Sequence, residues 1–339
     1  MAKSLESLIG DFKTSPMLFS LFAFAYPYQL GYPFRKPACN PQSLIQFITD
    51  GTGPASYTMA RDYQKLFGSD KLFSDEFVVG LLKTHSYNSL VTDSAAGATA
   101  LASMTKTNNG YIGVDHNGVP VPTILEAAKL NGMTTGIVVT STITHATPGG
   151  YYAHVMDRGW EDVIASQLVL GTTVNRTVDL IMGGGLEFFI PNNTNGKRLD
   201  DRNLLKEAKT VGWNTVINNT KDFWTAPLKL PVLAPMVTGH MPYELDRLNS
   251  TPSLLQMVQK ALPVLYKNGE STCNGFFLMI EASRIDHAGH ANDAAAHVHD
   301  MLMFQKTLEY VHSFIKNKNV LVVSTSDHET GGLTLGILY

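Results

Sequence analysis

The chain has 339 residues, a length that favours one large α/β unit or two modest ones over a single small domain. Apolar residues make up 44% and charged residues 16%, which excludes a disordered or fibrous chain and allows a large buried core. Lys and Arg number 26 against 29 Asp and Glu, a net charge of −3 with no basic block, so we expect no nucleic-acid binding. The two cysteines, Cys39 and Cys273, are compatible with one disulfide or with two free thiols.

Residues 1–41 are predicted to form an N-terminal extension, because their composition differs from that of the remainder. The largely apolar run 17–26 (MLFSLFAFAY) is too short to span a bilayer alone. Two alanines in it fit a signal-peptide cleavage pattern, whereas two acidic residues upstream argue against one. The extension is therefore either a targeting or anchor segment, through which the protein would associate with a membrane, or a plain extension.

From residue 42 onward, short apolar runs alternate with helical patterns, which is typical of parallel strands joined by crossover helices. Strands are predicted at 44–49, 134–140, 178–182, 275–281 and 319–326. Helices are predicted at 54–67, 95–104, 123–131, 160–170, 201–211, 252–267 and 293–316. The strands are almost wholly apolar, as expected where helices cover both faces of a sheet, while segment 214–250, with four prolines, is predicted to be irregular. The expected fold class is α/β, with a mainly parallel central sheet sandwiched between helices.

Acidic residues stand at the ends of three predicted strands. Asp50 follows the first strand, Glu281 ends the fourth, and Asp327 follows the fifth. In open α/β sheets ligands bind beyond the carboxyl ends of the strands, so we expect these acids to meet at one rim. Their mutual repulsion is relieved when they hold cations, which predicts a metal site.

Histidines accompany these acids in the strings RIDHAGHAND and STSDHETGG. The first string contains Asp286, His287 and His290, and the second contains Asp327 and His328. Imidazole and carboxylate together suit zinc, whereas carboxylate and hydroxyl oxygens suit magnesium. A single Asp-His pair is more simply a surface loop or a hydrogen-bonded core histidine. Two such clusters, each after a predicted strand, favour the metal interpretation.

A serine precedes a predicted helix of small residues in the run LVTDSAAGATALASM. Ser94 is expected at the helix N-terminus, where unpaired amides and the helix dipole bind anions; an ordinary N-cap is the alternative. A serine needs a base or a metal ion to become a nucleophile, and no G-x-S-x-G elbow is present.

Beyond strand 134–140 lie His145, Thr147 and Arg158, and this arginine is either a surface residue or a phosphoryl ligand. The combination indicates metal-assisted phosphoryl transfer.

These motifs resemble those of the alkaline phosphatase family, most closely its fungal vacuolar type. The resemblance covers roughly residues 44–336 and is carried by ITDGTGPAS, SLVTDSAAGATA, TILEAAKLNG, VDLIMGGG, GFFLMIEASRIDHAGHAND and VLVVSTSDHETGGL. It implies an alkaline-phosphatase-like fold and the hydrolysis of small phosphate monoesters to an alcohol and inorganic phosphate. It further implies that Ser94 attacks phosphorus and becomes a phosphoserine, that Arg158 holds the phosphoryl oxygens, and that Asp93 orients this arginine.

The resemblance also implies the cofactors, two zinc ions and one magnesium ion. The ligands that it implies are Asp50, Asp327 and His328 for the zinc ion beside Ser94, Asp286 and His290 for the second zinc ion, and Asp50, Thr147 and Glu281 for magnesium. His145 and His287 would occupy cofactor-binding positions beside these ligands, where family members differ. With His145 there, zinc could compete with magnesium.

Family members continue well beyond the position that corresponds to Tyr339, and a later histidine completes their second zinc site. No histidine follows His328 here, so 42–339 is expected to be a partial catalytic domain, incomplete at the C-terminal end, with one tight and one weak zinc site and low turnover. The alternatives are a weakly active or inactive metal-binding relative and another hydrolase of the alkaline phosphatase superfamily. The resemblance implies, finally, a homodimer in the secretory pathway, vacuolar or membrane-associated.

Overall fold

The structure is a computed structural model that describes residues 39–69, 71–172 and 175–336. All elements given below belong to the compact unit Pro41–Tyr339. The predicted extension lies outside the described residues up to residue 38, and the apolar run 17–26 lies there with it. Among the described helices, none has the length and apolar character needed to cross a membrane.

Cys39 and Cys273 are both disulfide-bonded, so the alternative of two free thiols is wrong.

Within the described ranges, seven strands form one parallel sheet flanked by ten α-helices. The strands are β1 (Ser43–Ile48), β2 (Thr134–Thr142), β3 (Leu180–Gly184), β4 (Thr215–Val216), β5 (Val232–Pro235), β6 (Phe276–Glu281) and β7 (Val320–Thr325). The helices are α1 (Pro54–Lys65), α2 (Ser94–Ser103), α3 (Ile124–Leu130), α4 (Ala146–Tyr152), α5 (Glu161–Leu170), α6 (Leu204–Thr210), α7 (Thr220–Thr225), α8 (Leu254–Thr272), α9 (Arg284–His290) and α10 (Ala294–Ile315). The strand order is β4-β5-β3-β2-β6-β1-β7, and every pair is parallel. The predicted fold class is confirmed.

Side chains of the central strands alternate between two hydrophobic cores, one on each face of the sheet. On β2, Val138 belongs to the core built with α8 and α10, whereas Ile137 and Val139 belong to the core built with α3 and α5. Both faces of the central strands are therefore covered, which explains why their apolar residues stand next to one another rather than alternating with exposed polar ones.

All five predicted strands are present, with ends shifted by at most two residues, and all seven predicted helices are present. Helix α8 extends five residues beyond its predicted end at 267 and contains Pro263. A Cβ added at Gly269, inside this helix, would lie 2.6 Å from the carbonyl carbon of Gly275. Glycine at this position therefore allows the helix to pack closely against the backbone of Gly275.

Two expectations about the elements were wrong, and two helices were not predicted. The segment 214–250 is not wholly irregular, since it contains β4, α7 and β5; these elements are too short, and β5 too close to prolines, to show a periodic pattern. Helices α4 and α9 were not predicted, because each has only seven residues and the Pro-Gly-Gly sequence of α4 is typical of a turn. Strand β7 is an edge strand in the described sheet, and its Leu321 and Val323 are 43% and 38% exposed rather than buried.

Candidate active site

The carboxyl ends of β6, β1 and β7 bring three acids to one rim of the sheet. These strands are neighbours, and their register aligns Ile48 with Glu281 on one side and with Thr325 on the other. Asp50 and Asp327 each lie two residues beyond the end of their strand. All three acids are buried. The sequence prediction that they meet at one rim is therefore confirmed.

Burial and mutual repulsion make these acids hard to ionise. Burial, followed by the negative charge of Asp327, raises the pKa of Asp50 well above its ordinary value. Burial raises the pKa of Glu281 to about 7 and raises the pKa of Asp327 as well. A divalent cation would offset the repulsion and stabilise all three carboxylates in their charged form.

Four buried oxygens at this rim have no hydrogen-bond partner in the described part of the chain. They are Asp50 Oδ2, Thr147 Oγ1, Glu281 Oε1 and Asp327 Oδ2. Buried polar atoms are normally satisfied, so oxygens of this kind that gather in one place indicate a ligand. Carboxylate and hydroxyl oxygens together with the neighbouring imidazoles form a donor set that fits both zinc and magnesium.

Ser94 is the first residue of α2 and is buried beside these acids. The helix begins here because the Asp93 carboxylate accepts a hydrogen bond from the Ala96 amide at 3.0 Å. The Ser94 Oγ lies 2.9 Å from His328 Nε2 and 3.4 Å from Asp50 Oδ1. The predicted helix-start position of this serine is confirmed, and it is Asp93 that provides the cap.

The small residues of α2 allow the helix to lie directly against the loop that follows β7. An added Cβ at Gly97 would lie 3.2 Å from the Cβ of Asp327. His328 Nε2 lies 3.4 Å from Asp327 Oδ2 and 3.6 Å from Asp50 Oδ1. Two of the three predicted ligands of one zinc ion, Asp50 and His328, thus contact the serine hydroxyl, and the third, Asp327, lies beside His328.

The predicted second zinc pair lies on α9. Asp286 and His290 are one helical turn apart, with His290 Nε2 3.4 Å from Asp286 Oδ1. The Thr330 hydroxyl donates to the same carboxylate oxygen at 2.8 Å, a contact that the sequence analysis did not predict. Asp50, Asp286 and His328 each place one potential ligand atom within 4.8 Å of the others. The His290 side chain is 67% exposed, so this pair is open to solvent.

The predicted magnesium ligands Thr147 and Glu281 are buried close to each other. Thr147 is fully buried on α4 and its hydroxyl lies near Glu281. The second oxygen of that carboxylate, Oε2, accepts a hydrogen bond from the Ser141 hydroxyl at 3.3 Å. The structure therefore brings Asp50, Thr147 and Glu281 into one buried region that is rich in hard oxygen donors.

Arg158 reaches the site through two partners. One guanidinium nitrogen donates to Asp93 Oδ2 at 3.0 Å, and the other donates to His145 Nε2 at 3.3 Å. The arginine is about one-third exposed, so the ion pair adds little stability and chiefly fixes the direction of the guanidinium. A guanidinium group that is held in a fixed direction beside a serine at a helix start is suited to donate hydrogen bonds to a phosphoryl group.

His240 belongs to the site and was not predicted. It lies after β5, in the segment expected to be irregular, and its ring centroid is 5.3 Å from that of His145 and 4.4 Å from that of His287. One ring nitrogen of each of the three histidines lies within 4.8 Å of the others. A lone histidine in a loop carries no sequence signal, because only the path of the chain after β5 brings it to the rim.

The fold and the rim together define an α/β protein in which buried acids, with oxygens unpaired among the described residues, lie beside a serine hydroxyl, a donor set that suits divalent cations. The model of the family described as alkaline phosphatase matches residues 41–338. The chain therefore belongs to the alkaline phosphatase family.

Curated relatives show the same similarity. The repressible alkaline phosphatase of Saccharomyces cerevisiae is 42% identical over 98% of this chain and 62% of the yeast protein. An alkaline phosphatase of Schizosaccharomyces pombe is 42% identical over 87% of this chain and 57% of that protein. The chain thus spans less than two thirds of the length of these relatives.

Solved structures agree in fold. The alkaline phosphatase of Thermus thermophilus has a TM-score of 0.77 at 33% identity, over 86% of this chain and 60% of that one. The alkaline phosphatase of the Antarctic bacterium TAB5 has a TM-score of 0.74 at 34% identity, over 86% of this chain and 80% of that one. A variant of the TAB5 protein, with one histidine replaced by aspartate, has Mg bound in a site called M3.

Proposed function

We propose that this chain hydrolyses small phosphate monoesters through a phosphoserine on Ser94 and releases an alcohol and inorganic phosphate. The observation that carries the proposal is a buried serine hydroxyl at a helix start, 2.9 Å from His328 Nε2 and 3.4 Å from Asp50 Oδ1. Membership of the alkaline phosphatase family supports it, as do relatives that bear the same name.

In the first step the Ser94 Oγ attacks phosphorus, and a new bond to the serine oxygen forms as the bond to the alcohol oxygen breaks. His328 and Asp50 contact the hydroxyl and hold it in place for attack. The serine hydroxyl loses its proton as it attacks, and the departing alcohol oxygen takes up a proton, so that no net proton is released. In the second step water attacks the phosphoserine, which releases inorganic phosphate and restores the serine.

The transferred group carries negative charge that the protein must balance. Arg158 is held by Asp93 and His145 so that its guanidinium can grip the phosphoryl oxygens. The positive end of α2 lies at the same place. Because these groups contact only the phosphoryl oxygens, the identity of the alcohol is weakly restricted.

The metal assignments belong to the same proposal. Asp50, Asp327 and His328 would hold one zinc ion, Asp286 and His290 a second, and Asp50, Thr147 and Glu281 a magnesium ion. When bound, these ions would supply positive charge that offsets the buried carboxylates and favours deprotonated oxygen nucleophiles. The partnerless buried oxygens of these residues support the assignment. A homodimer and a location in the secretory pathway, vacuolar or membrane-associated, remain predictions from the family resemblance.

Hydrolysis of p-nitrophenyl phosphate at alkaline pH by the zinc- and magnesium-loaded chain tests the proposal. Ser94→Ala should lower kcat by at least about a thousandfold, because the attacking group is lost. Ser271→Ala, which removes an exposed serine of α8, is the matched control and should keep full activity. Chelation should abolish hydrolysis, and zinc with magnesium should restore it.

The absence of hydrolysis by the fully loaded chain would contradict the proposal and favour the inactive metal-binding alternative. Hydrolysis that survives Ser94→Ala would contradict the role of the serine. A third outcome, hydrolysis that chelation does not affect, would contradict the metal assignments alone.

A further inference from the structure

His154 lies between α4 and α5, and both nitrogens of its ring have hydrogen-bond partners. Nε2 lies 2.9 Å from Glu126 Oε1, and Nδ1 lies 2.6 Å from the carbonyl oxygen of Gly113. The side chains of His154 and Glu126 are 11% and 6% exposed, so solvent and salt screen this pair only weakly. The proposed reaction gives neither residue a role.

Both partners of the ring can only accept hydrogen bonds. A carbonyl oxygen and a carboxylate oxygen have lone pairs and no hydrogen to offer, so each ring nitrogen must donate. A neutral imidazole has one N–H group, whereas the imidazolium has two. The contacts of His154 therefore define an imidazolium. Burial favours the neutral ring, but the hydrogen bond and the charge of Glu126 outweigh burial and raise the pKa of His154 above its ordinary value.

The surroundings of the ring contain one charged group within the described part of the chain, and that group is Glu126 on α3. Helix α5 approaches through Gln167, a neutral side chain that accepts from the His154 amide at 2.8 Å and donates to its carbonyl at 3.1 Å. The histidine backbone is thus fixed by α5, one ring nitrogen by α3, and the other nitrogen holds Gly113.

Gly113 ends a short segment, residues 109–113, that leads to the phosphoryl site. Near the other end of this segment the Gly110 amide donates to Asp93 Oδ2 at 2.9 Å. The Gly110 carbonyl accepts from the Arg158 amide at 2.8 Å. Segment 109–113 therefore contacts both the residue that caps α2 and the backbone of the arginine that faces the phosphoryl group.

Further contacts keep the segment in place and do not depend on pH. Ile112 and Val155 exchange two backbone hydrogen bonds at 2.9 Å, and the Gly113 carbonyl also accepts from the Val121 amide at 2.9 Å. Gly113 has a φ of 59°, and a Cβ added there would lie 2.8 Å from the Nδ1 of His154. The glycine thus allows its carbonyl to approach the ring closely, and the ring sets the exact position of this end of the segment.

Loss of one proton from the imidazolium leaves a single N–H group for two acceptors. A hydrogen bond to a charged carboxylate is stronger than one to a carbonyl, so the remaining hydrogen stays on Nε2, which faces Glu126. The bare Nδ1 and the Gly113 oxygen would then face each other with lone pairs at 2.6 Å, which drives the two atoms apart. This displacement passes along segment 109–113 to Asp93 and Arg158.

We propose that His154, as an imidazolium, is a positioning residue that holds segment 109–113 so that Asp93 and Arg158 are directed at the phosphoryl group. The inference deepens the proposed function and rests on it in assigning the phosphoryl group to Arg158. Because the pKa of His154 is raised in the folded chain, the imidazolium stabilises this arrangement fully below the ordinary histidine pKa. The stabilisation is lost as pH rises through the raised pKa, and phosphate should bind less tightly over the same range.

Nitrogen-15 NMR of the histidine rings in the metal-loaded chain tests the charge state directly. At neutral pH both ring nitrogens of His154 should show the chemical shifts of protonated nitrogens. The signals are identified by their loss in His154→Gln. A ring with one unprotonated nitrogen at neutral pH would overturn the inference.

Glu126→Gln separates the charge of the ring from its contact with Gly113. Glutamine suits the same capping position of α3, and its amide can donate to Nε2 of a neutral ring, so Nδ1 keeps its hydrogen for the Gly113 carbonyl. Calorimetry of inorganic phosphate binding to the metal-loaded proteins should therefore give similar dissociation constants for the variant and the unaltered chain at about pH 6. At about pH 10 phosphate should bind about threefold more tightly to the variant.

Two further variants complete the comparison. Glu309→Gln, which removes an exposed acid of α10, is the matched control and should follow the unaltered chain at both pH values. His154→Gln keeps a single kind of donor and cannot titrate. It should bind phosphate about threefold more weakly than the unaltered chain at about pH 6 and equally well at about pH 10.

A ratio of phosphate dissociation constants between Glu126→Gln and the unaltered chain that stays the same at both pH values would overturn the inference. Phosphate binding by His154→Gln that equals that of the unaltered chain at the lower pH would overturn it too. Failure of the proposed function has a different signature, which is absent p-nitrophenyl phosphate hydrolysis while the pH-dependent difference in phosphate binding persists.

Discussion

Single side chains at the rim combine structural and chemical roles, and Asp93 is the clearest case. Its carboxylate accepts from the Ala96 amide, which starts α2, and from the Gly110 amide at 2.9 Å. The same carboxylate pairs with Arg158 at 3.0 Å. The residue that places the serine at the helix start thus also sets the direction of the guanidinium.

Arg158→Lys tests whether the guanidinium fork matters beyond its charge. A lysine is a point charge and cannot donate in one plane to both Asp93 and His145. The inhibition constant of inorganic phosphate in p-nitrophenyl phosphate hydrolysis should rise about tenfold or more. Arg176→Lys, at an arginine that lies over Trp213, is the matched control. An unchanged inhibition constant in the Arg158 variant would show that charge alone suffices.

At the scale of the elements, the close approach of α2 and α4 sets the distance between Ser94 and Thr147. Gly150 on α4 faces α2, and an added Cβ there would lie 2.9 Å from the Cβ of Ala98 and 3.3 Å from backbone atoms. Neighbouring Gly149 faces Ile112 and Ile164, where an added Cβ would lie at an ordinary 3.6 Å. The two glycines therefore respond differently to the same substitution.

Gly150→Ala should destabilise the chain by about 1–3 kcal/mol, because the methyl group overpacks the contact between the two helices. It should also lower kcat, since Ser94 moves relative to the metal ligands. Gly149→Ala should leave stability unchanged or raise it slightly, because alanine favours a helix. Urea denaturation and p-nitrophenyl phosphate kinetics measure both effects. Equal effects of the two substitutions would contradict this account of the helix contact.

Across the whole molecule, most of the fold followed from the sequence because the long strands are buried on both faces. β6 is a continuous apolar run up to its terminal acid, and β1 and β2 contain shorter apolar runs. The acids at three strand ends, Asp50, Glu281 and Asp327, predicted the rim. The features that were not predicted depend on contacts between residues that are far apart in the sequence. Short strands such as β4 exist only through pairing with β5, and His240 reaches the rim only because β5 directs the chain there.

A buried acid outside the site makes the stability of the whole molecule depend on pH. Asp300 on α10 accepts the Glu244 amide at 3.1 Å, and Arg284, Glu244 and Asp246 face it. Burial raises the pKa of Asp300 to about 7. The folded chain thus holds a proton that the unfolded chain has released, so this acid lowers stability as pH rises from about 4 to about 7.

Asp300→Asn imitates the protonated acid and removes this dependence. The free energy of unfolding of this variant minus that of the unaltered chain should increase by about 2–3 kcal/mol from pH 5 to pH 8. Urea denaturation of the metal-loaded proteins at the two pH values measures the change. Asp62→Asn, at an exposed acid of α1, is the matched control and should show no such trend. A pH-independent difference for the Asp300 variant would contradict the assigned cause.

The most direct test of the central claim is to find the phosphate on the protein during turnover. The metal-loaded chain is mixed with p-nitrophenyl phosphate and quenched in acid, and its peptides are mapped by mass spectrometry. We predict phosphate on Ser94 and on no other residue, and its absence in Ser94→Ala. Turnover without phosphate on Ser94, or with phosphate on a different side chain, would contradict the account.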